Sequence, residues 1–264
     1  MSASETGASA SMIDRVVRIM RSFEVGDSDL SLAEISSRSG VPKSSVHRLI
    51  HILVGHGLMK AAGNGSYSLG IGLWELGVRA IGGQSTLADL SAIAKRTAEH
   101  FGETSHVGVL DDWDVVYVVR AESQRAVAVR THIGQRVPAH ATATGKSLLA
   151  AMIDDVSECG DHQLARFTNR TITDLDQLMR ELDVVRERGY ATNLGGWQSE
   201  LCGAAAVIYG HDGEPVGSLG IAGPTYRFSQ QSLDEVGVEI HQLAIEASIS
   251  LGYMGAVGPG ARRT

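Results

Sequence analysis

The sequence predicts an α+β protein in two parts. A small helical part ends in a short hairpin, and a larger part sets helices around an antiparallel sheet. Three observations lead there. Apolar residues recur at helical spacing through 13–23 and 46–53, with a capping signature and a proline-led helix start between them. The long strand-like runs, VGVLDDWDVVYVVRAES and GAAAVIYGHDGEPVGSLGIAGP, come after residue 100. The 264 residues, 43% hydrophobic, suffice for one large or two modest domains.

Taken in order, residues 1–11 (MSASETGASAS) are small and polar and are expected to form a disordered arm. Ile13, Val16, Val17, Ile19, Met20 and Phe23 suggest a first helix ending near Gly26. Ser31 and Glu34 form a capping box for a second helix reaching about Ser37. Ser39-Gly40-Val41 is a turn, and Pro42 suits the first position of a third helix running to about Val54. On that helix Val46, Leu49, Ile50 and Leu53 share one stripe, while Ser44, His47, Arg48 and His51 share the opposite one. LMKAAGNGSYSL then reads as two short strands joined at Gly63-Asn64-Gly65. That order is a winged helix-turn-helix, spanning 12–72.

A linker helix is expected over 73–85, cut off near Gly82-Gly83, and a second domain over 86–253. Its strands turn at Asp111-Asp112 and near Ser123-Gln124, so that RAVAVRTHIG forms a strand too. Helices are expected at about 144–153, 161–167 and 174–188, a hairpin at His211-Asp212-Gly213, and a closing helix from about Ser229 to Leu251. Residues 254–264 read as a disordered tail.

The net charge of −7 argues against a nucleic-acid binder until it is divided along the chain. Residues 12–72 hold seven basic side chains against five acidic ones, so the acidic excess lies elsewhere. A binding face produces such an asymmetry. Cys159 and Cys202 give no disulfide framework and no CxxC pattern, and no apolar run approaches the roughly 18 residues of a membrane span. A soluble protein of a reducing cytoplasm, without cofactor or metal, is expected.

HATATGKSLLA, residues 140–150, ends in what looks like half of a phosphate-binding loop. Such a loop needs glycine five residues before the Gly of its GK, and His140 stands there. The remaining reading is a helix start at Thr144-Gly145-Lys146, with Lys146 facing solvent or a neighbouring subunit. His47 and His51 are four apart, but a zinc-protease pattern needs Glu after the first, and Arg48 occupies that place. No Ser/His/Asp, Cys/His or metal-ligand constellation emerges, so an enzyme is not expected. Asp111, Asp112 and Asp114 read as solubilising residues at a strand turn.

The stretches LSLAEISSRSGVPKSSVHRLIHILVGHGL, SYSLGIGLWELG, PAHATATGKSLLA and TITDLDQLMRELDVVRERGYA together resemble the IclR family of bacterial transcription regulators. The resemblance covers about residues 12–252. It implies a DNA-binding winged helix-turn-helix, a linker helix, a GAF-like effector domain, and a homodimer that pairs again as a dimer of dimers. Operator DNA, with palindromic or repeated half-sites, and a small-molecule effector are the implied partners. Two rival functions are a hydrolase or isomerase with an accessory N-terminal domain, and a module for protein contacts.

On the third helix, Arg48 is placed to pair with guanine, and Ser44, Ser45, His47 and His51 to reach bases or phosphates. Lys43 adds a phosphate contact at the helix start, and Lys60, Asn64 and Ser66 add wing contacts. For the effector, the resemblance implies a pocket at Thr142, Ala143 and Thr144, where a helix start offers free N–H groups to an anion. Family positions that are acidic, cysteine and serine fall here at Gly195, Gly203 (beside Cys202), Gly220 and Ala222. Those losses imply a wider, less polar pocket than glyoxylate or pyruvate needs, one suited to an aromatic acid or a derivative of one. Trp113, Tyr117 and Trp197 are candidates to line it, with core packing as the other role for the first two.

Overall fold

The computed structural model describes residues 11–160 and 162–255. Residues 1–10 of the expected arm and 256–264 of the expected tail lie outside that range. Two compact units meet in sequence between Ala80 and Ile81.

The first unit begins with α1, Met12–Arg21, whose N-cap Ser11 forms a capping box with Asp14. It ends earlier than expected because the Ser22 hydroxyl turns back to donate to Ile19 O at 2.7 Å, and a turn at 24–27 follows. The Ser31–Glu34 box starts α2, Leu32–Ser39, and left-handed Gly40 (φ 65°) stops it. In α3, Lys43–Gly55, Pro42 is the cap and not the first helical residue. Ile19, Ile35, Val46, Leu49, Ile50 and Leu53 form one core, closed by Met59. The wing strands are β2, Met59–Ala61, and β3, Ser66–Leu69. A third strand, β1 (Leu30–Ser31), pairs with β3 to give the order β1-β3-β2. Two residues carry no periodicity, so β1 had no signal in the sequence. α4 spans Ile71–Ala80, and Gly82 and Gly83 beyond it both take positive φ.

The second unit opens with α5, Gln84–Phe101. Its strands are β4 (Thr104–Asp111), β5 (Asp114–Ala121), β6 (Arg136–Pro138), β7 (Ala191–Leu194), β8 (Leu201–Tyr209) and β9 (Pro215–Pro224). They form one antiparallel sheet of order β6-β5-β4-β9-β8-β7. α5 and α8 (Gln230–Ser250) pack on it through Leu90, Ile93, Ala94, Ile240 and Ala244. A second core joins α6 (Ala143–Met152) and α7 (Leu175–Arg188) to the sheet through Leu148, Leu149, Leu178, Leu182, Val115 and Tyr117.

Two expected elements do not form. RAVAVRTHIG is not a strand: β6 pairs with β5 only over Asp114–Val116, and the turn at Gly134 and Gln135 takes both backbone bonds of Tyr117. The segment 122–135 is instead held by side chains. Arg125 Nε donates to Gly102 O at 3.0 Å, Thr104 Oγ1 to Val129 O at 2.9 Å, and Arg227 to Val127 O. The helix expected at 161–167 is also missing among the described residues 162–167. Asp155 caps a single 3-10 turn at Val156–Cys159, Gly160 ends it, and the Ala165 carbonyl bonds to the His140 ring at 3.0 Å.

Candidate functional site

The polar face of α3 is open. Lys43, Ser44, His47, Arg48 and His51 are exposed, and Ser45 is half-buried. Among the described residues Lys43, Arg48 and Lys60 make no ion pair, whereas Arg38 is held by Asp27. Unpaired cations beside a buried apolar stripe are what a phosphate-binding helix presents. The His47 and His51 rings meet edge to face, with Nε2 atoms 3.2 Å apart. Ser66 departs from its expected role. It is buried, its hydroxyl contacts Asp29 and Asn64, and its amide donates to Asn64 Oδ1 at 3.2 Å. Ser66 therefore shapes the wing turn, and Asn64 spends its carbonyl oxygen on the same turn.

In the second unit a cavity of about 40 Å³ lies where β4 and β8 begin, β9 ends and α6 starts. Thr142, Ala143 and Thr144 line it, as do Tyr117, Trp197, Cys202, Gly203 and Ala222, all of them expected. The sequence reading missed His106, Val129, Thr131, Asn193, Leu201 and Ile221, which line it as well. Val129 and Thr131 escape because RAVAVRTHIG, residues 125–134, reads as a strand of the sheet. His106 had one usable signal, an ionisable group directly before the apolar and glycine run Val107 to Leu110 of the same strand.

Thr142 caps α6: it takes the Gly145 amide on Oγ1 at 3.2 Å and the Lys146 amide on its carbonyl at 3.0 Å. The amides of Ala143 and Thr144 have no acceptor among the described residues. Two free N–H groups at the positive end of a helix dipole favour an anion. Among the described residues no Lys or Arg side chain lines the cavity. His106 Nε2 lies 2.9 Å from Thr144 Oγ1, and its ring packs at 4.2 Å on that of Tyr117. Burial pushes the His106 imidazole down to about 3, so it is neutral at physiological pH. Burial, with the Glu103 carboxylate nearby, pushes the Cys202 thiol up to about 12, and its Sγ lies 3.4 Å from Gly223 O. A neutral, hydrogen-bonded thiol is no nucleophile.

The glycines need a different account. A Cβ on Gly203 would lie 2.2 Å from Ile221 O, and one on Gly220 would lie 3.0 Å from Ala205 Cβ and 3.1 Å from Thr144 Oγ1. They permit close approach of backbone and helix and do not widen the cavity, which has room for only a few water molecules. Gly195 (φ 76°) sits in the turn after β7, where its carbonyl accepts from Thr168 Oγ1 at 2.7 Å. Trp113 is also elsewhere, stacked on His162 at 4.2 Å. Gly195, Gly220 and Trp113 are outside the cavity lining.

Lys146 does not face solvent. It is buried, and its Nζ donates to Glu181 Oε1 on α7 at 2.6 Å. Burial holds its ammonium below the usual lysine range, and the Glu181 carboxylate opposes that shift. Gly145 is required by contact: a Cβ there would lie 2.2 Å from both Ala139 Cα and Ala139 O.

A winged helix-turn-helix with an open cationic face, on one chain with a sheet unit enclosing an anion-friendly cavity, defines a ligand-sensing DNA-binding regulator. The comparisons with known proteins agree. Residues 81–249 match the family described as bacterial transcriptional regulator IclR C-terminal, and 12–61 match the IclR helix-turn-helix domain. The chain belongs to the IclR family of transcriptional regulators. It is 30% identical over 250 residues to the HTH-type transcriptional regulator XynR of Escherichia coli, covering 91% of this chain and 97% of XynR. It is 31% identical over 228 residues to E. coli KdgR, covering 85% and 87%. The crystal structure of an IclR homolog from Microbacterium hydrocarbonoxydans, complexed with 4-hydroxybenzoate, is 25% identical with a TM-score of 0.78 and covers 91% of this chain and 99% of its own. No helix among the described residues is long and apolar enough to cross a membrane.

Proposed function

We propose that this regulator controls a catabolic operon in the cytoplasm, binding operator half-sites through α3 as a homodimer or dimer of dimers. Occupancy of the cavity on α6 then shifts its DNA affinity. Lys43, Ser44, Ser45, His47, Arg48 and His51 are the proposed DNA contacts, with Lys60 and the amide nitrogen of Asn64 on the wing. The effector is an organic acid with one carboxylate and a planar apolar body. The observation that carries this reading is the pair of free amides at Ala143 and Thr144, which open onto an apolar cavity without a cationic side chain. One helix start balances one negative charge; a second charge would be buried without a partner. The apolar walls are Val129, Leu201, Ile221 and Trp197, and the related homolog complexed with 4-hydroxybenzoate supports an aromatic body.

An aromatic acid exceeds 40 Å³, so binding must displace part of the wall. The segment 122–135 and the Trp197 turn are the candidates, since both are held largely by side-chain bonds to backbone carbonyls and not by a strand ladder.

The test is Ala143→Pro. Position 143 is the first residue of the helix, where proline is tolerated, and Thr142 before it is already extended (φ −122°, ψ 154°). The substitution deletes one of the two free amides. Benzoate and benzamide binding, read by ligand-induced thermal shift, separate the causes. Lost charge stabilisation weakens the acid more than the amide. Equal weakening, or no change in either, contradicts the anion seat.

A further inference from the structure

Part of the cavity wall is not held by the sheet. The segment 122–135 joins β5 to β6, and among the described residues its stretch 122–131 makes no backbone–backbone hydrogen bond. Both ends are fixed. Ser123 Oγ donates to Gly102 O at 2.7 Å, and Gly134 and Gln135 bond to the two backbone groups of Tyr117. Within the segment only Val129 and Thr131 are buried, and both line the cavity. Three side chains fasten the part between. Thr104 Oγ1 donates to Val129 O at 2.9 Å, Arg227 Nη2 to Val127 O, and the segment's own Arg125 Nε to Gly102 O at 3.0 Å. From this arrangement we infer that 122–135 is a strap that lifts from the cavity, and that Thr104, Arg227 and Arg125 are its latch, setting how fast an effector enters and leaves. The inference rests on the proposed effector cavity at α6 and adds its path of access.

Glu103 gives the latch a fixed post. Its side chain is buried, and both carboxylate oxygens accept from Arg227 Nη1, at 2.7 and 2.9 Å. A guanidinium held in this way keeps Nη2 aimed at Val127 O whether or not the strap is down. Arg125 approaches the same carboxylate to 3.7 Å and travels with the strap. Water can replace each latch bond once the strap lifts, so opening sacrifices little beyond the burial of Val129 and Thr131. The Trp197 turn, the other movable part of the wall, is tied more closely. Gly195 N donates to Leu201 O at 2.8 Å, Leu201 N to Gln198 O at 3.0 Å, and Thr225 N to Glu200 O at 2.8 Å. β7 and β8 are paired right up to that turn, at Leu194 and Cys202. Moving the turn breaks backbone bonds that moving the strap leaves intact.

The experiment reads opening through Cys202, which lines the cavity and is 2% exposed. The full chain is labelled with methyl methanethiosulfonate in dilute urea, and the Cys202 peptide is followed by mass spectrometry. Arg125→Ala removes an exposed latch residue, and Thr104→Val keeps the shape of threonine without its hydroxyl. Thr168→Val is the comparison, because it deletes a bond to Gly195 O in the Trp197 turn. Wild-type labelling is expected to be insensitive to dilute urea, as local opening is. It should be at least about threefold faster in Arg125→Ala and Thr104→Val, the scale of one lost hydrogen bond, and within about twofold of wild type in Thr168→Val. Should Thr104→Val not fold, Arg125→Ala decides alone. Stopped-flow fluorescence with 4-hydroxybenzoate should show association and dissociation both faster in the strap variants, with Kd changed less than either rate. A wild-type labelling rate that climbs steeply with urea means that only global unfolding exposes Cys202, and overturns the inference. Acceleration in Thr168→Val alone, or in none of the three, overturns it too, as do unchanged ligand exchange rates in variants that label faster. Faster labelling in the strap variants that saturating 4-hydroxybenzoate fails to slow overturns the anion seat and leaves the strap standing.

Discussion

Gly145 and Ala139 meet backbone against backbone. The position of a Gly145 Cβ would fall 2.2 Å from the Ala139 carbonyl oxygen, closer than any real contact. This approach seats the first turn of α6 against the short 3-10 turn at Ala139–Ala141, and with it the two free amides. Gly145→Ala is therefore expected to overpack the junction by about 2 kcal/mol, lowering Tm on the order of 5 °C. A thermal melt measures it. An unchanged melt contradicts the contact.

The buried pair behind that turn has unequal partners. Lys146 is almost fully enclosed, while the Glu181 side chain retains 29% exposure. Glu181→Gln leaves a cation in the interior without its partner and is expected to cost about 3 kcal/mol. Lys146→Met leaves a carboxylate that can rehydrate and fills the space with an apolar chain, so its cost should be well under half of that. Urea denaturation of the two variants gives the order, and the reverse order contradicts it.

His106 sets a pH dependence. Its folded pKa of about 3 lies far below the unfolded value of about 6.5, so between these the unfolded chain binds more protons. The stability it confers is complete above pH 6.5 and is lost as pH falls towards 3. Tyr117 and Thr144 face the ring, and neither supplies a compensating negative charge in this range. Denaturation of wild type and His106→Phe at pH 7 and pH 4.5 should show the variant losing less stability on acidification. An equal loss in the two places the acid sensitivity elsewhere.

On α3 the exposed cations separate into two kinds of contact. Arg48→Ala is expected to reduce specific operator binding by about 1–3 kcal/mol and to relax preference at one base. Lys43→Ala should weaken binding evenly across sequences and reduce the salt slope by about one. Ser66→Ala should act on the wing fold and so lower the melting temperature of the chain before it alters the salt slope. Anisotropy titrations at several salt concentrations distinguish the three.

The fold was legible where one local rule governed one element. The Ser31–Glu34 box, the stripe of Val46, Leu49, Ile50 and Leu53, and the hairpin at His211-Asp212-Gly213 all carry their signal within a few residues. It failed at 122–135, where a β-rich composition is overruled by Thr104 and Arg227, which capture the carbonyls of Val129 and Val127 from distant positions, and by Arg125, which reaches out to the Gly102 carbonyl. The cavity was half legible for the same reason. Thr142 to Thr144 announce a helix start, but His106 and Thr131 become neighbours only through the sheet and the segment that crosses its end. Gly203 and Gly220 misled because glycine reads as missing side chain in a sequence, while in the structure it marks contact.

The central claim is that occupancy of the α6 cavity alters DNA binding. Fluorescence anisotropy of the full chain on the promoter region beside its own gene, with and without saturating hydroxybenzoate, tests it most directly. A change in operator affinity of at least about fivefold is expected, the lower range of typical coupling energies, and it should be absent in Ala143→Pro. Operator affinity that stays the same while hydroxybenzoate is bound would contradict the claim.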